Sequence, residues 1–172
     1  MTFDPIDVRD LLGHPGASRR LAVDGELGGL MVELATVTGP VHADLLLESV
    51  VEGILASGTL TGSMRVRCAR CLTELDRTFE VELQELFSSE PDADDDAYPV
   101  TPEGFLEPEP VLRDVVGVEL PFAPLCRPDC RGLCGVCGEN LNLDGCPGHE
   151  QSDPRWAALE TLLLEPTAER DR

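Results

Sequence analysis

Lysine is absent from all 172 residues, so every cationic side chain is one of thirteen arginines, set against thirty-three carboxylates for a formal charge of −20. Such a surface cannot wrap nucleic acid as a whole, because phosphate binding needs a basic footprint. Histidine is scarce as well. The three that occur, His14, His42 and His149, are scattered, and no G-x-S-x-G turn or phosphate-cradling glycine loop is present. No nucleophile with an attached base can be assembled, which argues against an enzyme and against a small-molecule substrate. No apolar run approaches the roughly 18 residues needed to cross a bilayer, so a soluble chain is expected. With no apolar secretory leader after Met1, the expected compartment is the reducing cytoplasm.

What the chain does have is cysteine in couples. Seven cysteines and His149 fall into four pairs: Cys68/Cys71, Cys126/Cys130, Cys134/Cys137 and Cys146/His149. A C-x-x-C spacing lets two sulfurs face one ion while turn amides point at the thiolates, and Gly138 permits the left-handed turn that closes such a knuckle. Eight donors fill two closed sites, so two structural Zn²⁺ ions are expected. The preferred partition gives Cys134, Cys137, Cys146 and His149 a local site. Cys68 and Cys71 then clasp Cys126 and Cys130 across a loop of more than fifty residues, the closure with the greater effect on folding. An odd cysteine count and the C-x-x-C couples speak against a disulfide scaffold. Neither Cys68 nor Cys134 opens a plausible helix, which speaks against a redox dithiol.

Six arginines lie beside these couples: Arg65, Arg67, Arg70, Arg77, Arg127 and Arg131. Two readings stand side by side. Arg65, Arg67, Arg70, Arg127 and Arg131 could form a docking patch for RNA phosphate or another partner, since the guanidinium fork suits phosphate. Alternatively, the same cations offset the double negative charge of a zinc bound by four thiolates.

The expected architecture is α+β, a mainly antiparallel twisted sheet with few flanking helices and a zinc-stapled C-terminal region. Residues 1–87 read as an antiparallel β region carrying the first knuckle, 88–109 as an acidic flexible loop, and 110–172 as helix, cysteine-rich region and C-terminal helix, all within one domain. Asp7 is expected to cap a short helix at 8–12. Strands are expected at 19–23 and 29–34 around an Asp24-Gly25 turn, then at 41–52, with His42 on its outward parity. The clearest sheet signal is 54–68, one long strand with bends at Gly58 and Gly62, followed by a partner at 79–84. Matching apolar parity sets Val66 near Val81 and Met64 near Leu83, with Arg65 opposite Glu82 and Arg67 opposite Glu80. A helix is expected at 111–120, stopped by Pro121. A second is expected at 153–165, with Asp153 as cap and Trp156 as an apolar anchor.

The order Cys68-Ala69-Arg70-Cys71-Leu72, Glu85-Leu86-Phe87, an acidic gap, Leu120-Pro121 to Leu125-Cys126, Gly132-Leu133-Cys134 to Cys137-Gly138, Asn140-Leu141-Asn142 and Asp153-Pro154-Arg155 resembles the YceD family of large ribosomal RNA subunit accumulation proteins. The likeness runs over about 19–164. It implies a non-enzymatic role in producing or retaining 23S ribosomal RNA during large-subunit assembly. The partners implied are that RNA, a basic ribosomal protein, or both. One departure stands out: Pro147-Gly148-His149 occupies the place where the family pattern has a second cysteine soon after 146, which leaves the fourth local ligand open. The alternative function is a zinc-stabilised acidic adaptor unrelated to ribosomes.

Overall fold

The computed structural model describes residues 3–90 and 97–149. The chain divides into two compact units, Met1–Cys130 and Arg131–Arg172. The helix expected at 153–165, with Trp156, lies outside the described residues.

The first unit is built on a six-stranded sheet ordered β2-β4-β5-β6-β7, with β3 also pairing β4. Its strands are β2 (Ser18–Gly25), β3 (Met31–Val32), β4 (Ala35–Ser49), β5 (Ile54–Arg67), β6 (Glu74–Ser88) and β7 (Tyr98–Pro99). Every pairing is antiparallel except β6 with β7. A separate ribbon joins β1 (Ile6–Asp7) to β8 (Phe105–Leu106). One helix among the described residues, α1 (Pro108–Glu119), buries Val111, Leu112 and Val116. These join Leu47, Ile54, Leu60, Leu83 and Phe87 in one core. An antiparallel sheet with one covered face calls for strict alternation. β6 supplies it: Val81 and Leu83 are buried, while Glu80, Glu82 and Gln84 are exposed.

The long strand at 54–68 is present as β5, but its glycines act by allowing close approach. A Cβ at Gly62 would stand 2.5 Å from the Phe79 ring, and one at Gly58 would collide with the Asp44 carbonyl. The irregularity falls on β4 instead, where the register with β5 shifts between Thr38 and His42 and Gly39 adopts φ +71°. β4 accordingly starts at Ala35, ahead of the expected 41.

The β5–β6 register departs from expectation. Val66 opposes Leu75 and Met64 opposes Arg77, so Arg65 faces Asp76 and Arg67 faces Glu74. Parity could not reveal this, because a slip by an even number of residues keeps every apolar side chain on its face. The tight knuckle decides it. Leu72 N–H donates to Cys68 O at 2.9 Å and Cys68 N–H to Thr73 O at 2.9 Å, so pairing begins at Arg67–Glu74 and zips outward.

Further corrections follow from neighbouring backbone. At 8–12 there is a single turn rather than a helix, with Leu11 and Leu12 N–H groups both donating to Val8 O. Val8 N–H is itself bonded to Gly104 O, and Asp7 spends its carboxylate on Arg9 N–H at 3.1 Å. The expected Asp24-Gly25 hairpin is absent. β2 runs through Gly25 and pairs with β4, as β3 does. Residues 97–109, read as part of a flexible loop, carry β7 and β8, and Leu106 is buried. The helix starts at Pro108, earlier than 111, and stops before Pro121 as expected.

Candidate metal centres

In the first unit, the hairpin between β5 and β6 delivers Cys68 and Cys71 at its tip, and the segment after α1 delivers Cys126 and Cys130. Backbone and arginine bonds fasten the two together. Ala69 N–H donates to Pro124 O at 2.8 Å, Arg70 donates to Cys130 O at 2.9 Å, and Arg77 donates to Leu125 O. Cys68 Sγ lies 3.8 Å from Cys130 Sγ, and Cys71 Sγ lies 3.6 Å from Cys126 Sγ. All four donor atoms fall within 4.8 Å of one another. A tetrahedral ion with Zn–S of about 2.3 Å requires sulfurs about 3.8 Å apart, so the donor set fits zinc. All seven cysteines are unbridged.

The thiols share one electrostatic problem. Burial pushes Cys68 up, but N–H groups of Cys71, Cys126 and Arg70 outweigh it and bring the thiol down to about 6. The Thr73 hydroxyl, 3.2 Å from Cys71 Sγ, together with the Thr73 N–H, lowers Cys71. Cys126 is driven the other way, up to about 12, by burial and then by the sulfurs of Cys130, Cys71 and Cys68. Sulfurs this close cannot all ionise together unless a cation sits among them.

In the second unit, Cys134, Cys137, Cys146 and His149 likewise place one donor atom each within 4.8 Å of the others. Cys137 and Cys146 sulfurs are 3.8 Å apart. The knuckle closes as the C-x-x-C-G spacing requires, with Gly138 at φ +75° and its N–H donating to Cys134 O at 2.9 Å. N–H groups of Cys137 and Val136 bring Cys134 down to about 7. At Cys137 the Glu139 N–H pulls downward, but desolvation and the neighbouring sulfurs prevail and raise it. This set is the more open of the two, since Cys137 and His149 are exposed while Cys68, Cys71 and Cys130 are buried.

Of the arginines that one of the two readings assigned to a partner patch, most are already engaged. Arg65 pairs with Asp76 at 2.9 Å, Arg67 with Glu74 at 3.8 Å and Arg127 with Asp129 at 3.4 Å, while Arg70 holds the Cys130 carbonyl. For Arg131 the backbone N–H donates to Asn142 Oδ1 at 2.9 Å. Outside the candidate metal donors, Thr73, Arg77, Asn140 and Asn142 do structural work that cysteine spacing did not disclose. Asn140 Oδ1 accepts from the Asn142 backbone at 3.0 Å and from its side chain at 2.7 Å, fixing the turn that follows the second knuckle. His42, expected to be a surface residue, is held by Asp24 at 2.8 Å.

The profile of the large ribosomal RNA subunit accumulation protein YceD matches residues 56–163, a span that takes in both cysteine sets. The chain belongs to the YceD family. This YceD-family chain is 36% identical over 165 residues to an uncharacterized protein of Mycobacterium leprae, covering 91% of the chain and 76% of that relative. It is 43% identical over 126 residues to an uncharacterized protein of Mycobacterium tuberculosis, covering 70% of the chain and 60% of the relative. The chain thus spans less than two thirds of the tuberculosis protein. A chloroplastic protein of Arabidopsis thaliana, named large ribosomal RNA subunit accumulation protein YCED homolog 1, is 36% identical over 52 residues, covering 30% of the chain and 16% of that protein. No solved structure matches the chain.

Proposed function

We propose that this YceD-family chain supports accumulation of 23S ribosomal RNA and assembly of the large ribosomal subunit by binding, without a reaction of its own, and that each cysteine set holds one structural Zn²⁺. The observation that carries the binding reading is the completeness of each donor set. Each set brings four protein donor atoms within 4.8 Å of one another, enough to fill a tetrahedral shell and leave no position for the water or substrate of a catalytic zinc. The ions serve to fasten the hairpin tip to the segment after α1, and to close the second knuckle.

A basic ribosomal protein in the cytoplasm is the partner that fits best. A charge of −20 attracts cationic surfaces and repels phosphate. The arginines that would have made an RNA patch are largely spent on Asp76, Glu74, Asp129 and the Cys130 carbonyl. The test is the ratio of 23S to 16S ribosomal RNA in a strain lacking the gene. The ratio is expected to fall and to be restored by the wild-type chain, and an unchanged ratio removes the ribosomal role. Capture from large-subunit components then separates the partners. Retention of a basic protein supports the stated reading, whereas retention of 23S fragments with a steep salt dependence replaces it with direct RNA contact.

A further inference from the structure

The outer edge of β6 is open. Cys68 N–H donates to Thr73 O, so in the register Arg67↔Glu74 to Ile54↔Phe87 the odd-numbered residues of β6 turn their backbone groups toward β5. The even-numbered ones turn theirs away. Ser88 confirms the parity, because its carbonyl accepts from Val100 N–H on that outer side. β7 covers the edge only at Phe87 and Ser88. From Glu74 to Gln84 the outward N–H and C=O groups meet no backbone partner among the described residues, a stretch of roughly 30–35 Å at about 3.3 Å per residue.

The side chains on this edge say what can pair with it. Glu74, Asp76, Thr78, Glu80, Glu82 and Gln84 all lie exposed on one face. Arg67 and Arg65 engage the first two acids, but Glu80 and Glu82 stand beside Thr61 and Thr59 of β5 and form no ion pair with a described cation. On the opposite face the edge shows half-buried Leu75 and Phe79 and buried Val81, with exposed Arg77 between the first two turned to the Leu125 carbonyl. A second copy of the chain would bring carboxylate against carboxylate, which disfavours self-pairing. RNA phosphate is repelled for the same reason.

We propose that the free edge of β6 accepts an extended segment of a partner protein as an added strand, one that alternates Lys or Arg with apolar residues. The cationic positions fall on the Glu80/Glu82 face and the apolar ones beside Leu75, Phe79 and Val81, and backbone bonds to the outward groups supply the pairing. The segment stops short of Phe87, where β7 holds the edge. The inference deepens the reading of a basic protein partner and rests on it.

The test adds an acetylated peptide of about ten residues, alternating Lys and Val, a length that spans the open stretch, to the full zinc-loaded chain. A control peptide has the same composition with Lys and Val in separate blocks. Amide exchange at Thr78, Glu80, Glu82 and Gln84 is expected to slow by at least about tenfold with the alternating peptide, which corresponds to about 1.4 kcal/mol. Val81 and Leu83, already bonded to β5, are expected to change little. Glu80→Lys with Glu82→Lys, and separately Thr78→Pro, which deletes one outward N–H, are each expected to weaken binding by about tenfold or more, with zinc content unchanged as the check on folding. Equal binding of the two peptides, or slowed exchange that does not follow the even-numbered residues, overturns the proposal. Loss of 23S RNA on gene deletion together with no edge binding leaves the ribosomal role standing and removes only the added strand.

Discussion

At Leu72 the backbone takes φ +60°, a left-handed conformation that a branched side chain adopts at a cost. The position closes the Cys68–Cys71 knuckle, so the strain is tied to bringing the two sulfurs round. Leu72 is half exposed, at 51%, and its side chain adds little to the core. Leu72→Gly is therefore expected to stabilise the chain by about 0.5–1 kcal/mol, the steric relief less the extra unfolded-state entropy of glycine. Chemical denaturation of the zinc-loaded protein measures it. A loss of stability would show that Leu72 makes a packing contribution larger than its exposure suggests. Much of the candidate site was legible at this scale, because short cysteine spacing already says which sulfurs one turn can bring together. The C-x-x-C couples, the role of Gly138 and the division into two sets are all readable in the sequence. Arg70 and Arg77 were visible only as neighbours of cysteine. That they donate to the carbonyls of Cys130 and Leu125 depends on contacts far apart in the chain, which local spacing does not encode.

Between elements, the β5–β6 hairpin shows where pattern stops being informative. Alternation identified both strands and their faces, yet it cannot distinguish registers that differ by an even number of residues, and the turn at Cys68–Thr73 had to settle the matter. The resulting Arg65–Asp76 pair is exposed, with both side chains more than half accessible, so a double-mutant cycle with Arg65→Ala and Asp76→Ala is expected to give a coupling below about 1 kcal/mol. Packing of α1 carries far more. Leu112 is fully buried, and Leu112→Ala is expected to cost about 2–5 kcal/mol in equilibrium unfolding. Across β2 and β4, Asp24 faces His42, and their hydrogen bond raises the imidazole above its usual value against a smaller opposing effect of desolvation. The folded state therefore binds the proton more tightly than the unfolded one. The stabilisation is complete below the unfolded value of about 6.5 and fades as pH rises through the raised folded value. Imidazole NMR titration is expected to show a downward shift toward the ordinary value in Asp24→Asn, and an unchanged midpoint would remove the pair as the cause.

For the molecule as a whole, the two units carry donor sets of different exposure, and that difference predicts an order of events. Cys68, Cys71 and Cys130 are buried in the first unit, whereas Cys137 and His149 are exposed in the second. A chromophoric chelator at neutral pH is expected to remove one ion per chain in a fast phase and the other in a slower one. Acidification should follow the same order, since ligand protonation competes with the metal. Cys134→Ser should abolish the fast phase and keep the slow one. The acidic surface and the free edge of β6 are likewise properties of the assembled molecule, visible in the sequence as charge and alternation but not as an edge. Strand order depends on which distant segments pair, and no local pattern states that.

Metal content tests the account most directly. Untagged protein isolated under reducing conditions is expected to contain two Zn²⁺ per chain by elemental mass spectrometry. Cys68→Ser and Cys134→Ser should each retain one ion, because each interrupts only its own set. Less than one ion in the wild type, together with cysteines found bridged by nonreducing mass spectrometry, would contradict the account. So would the loss of both ions from either single variant.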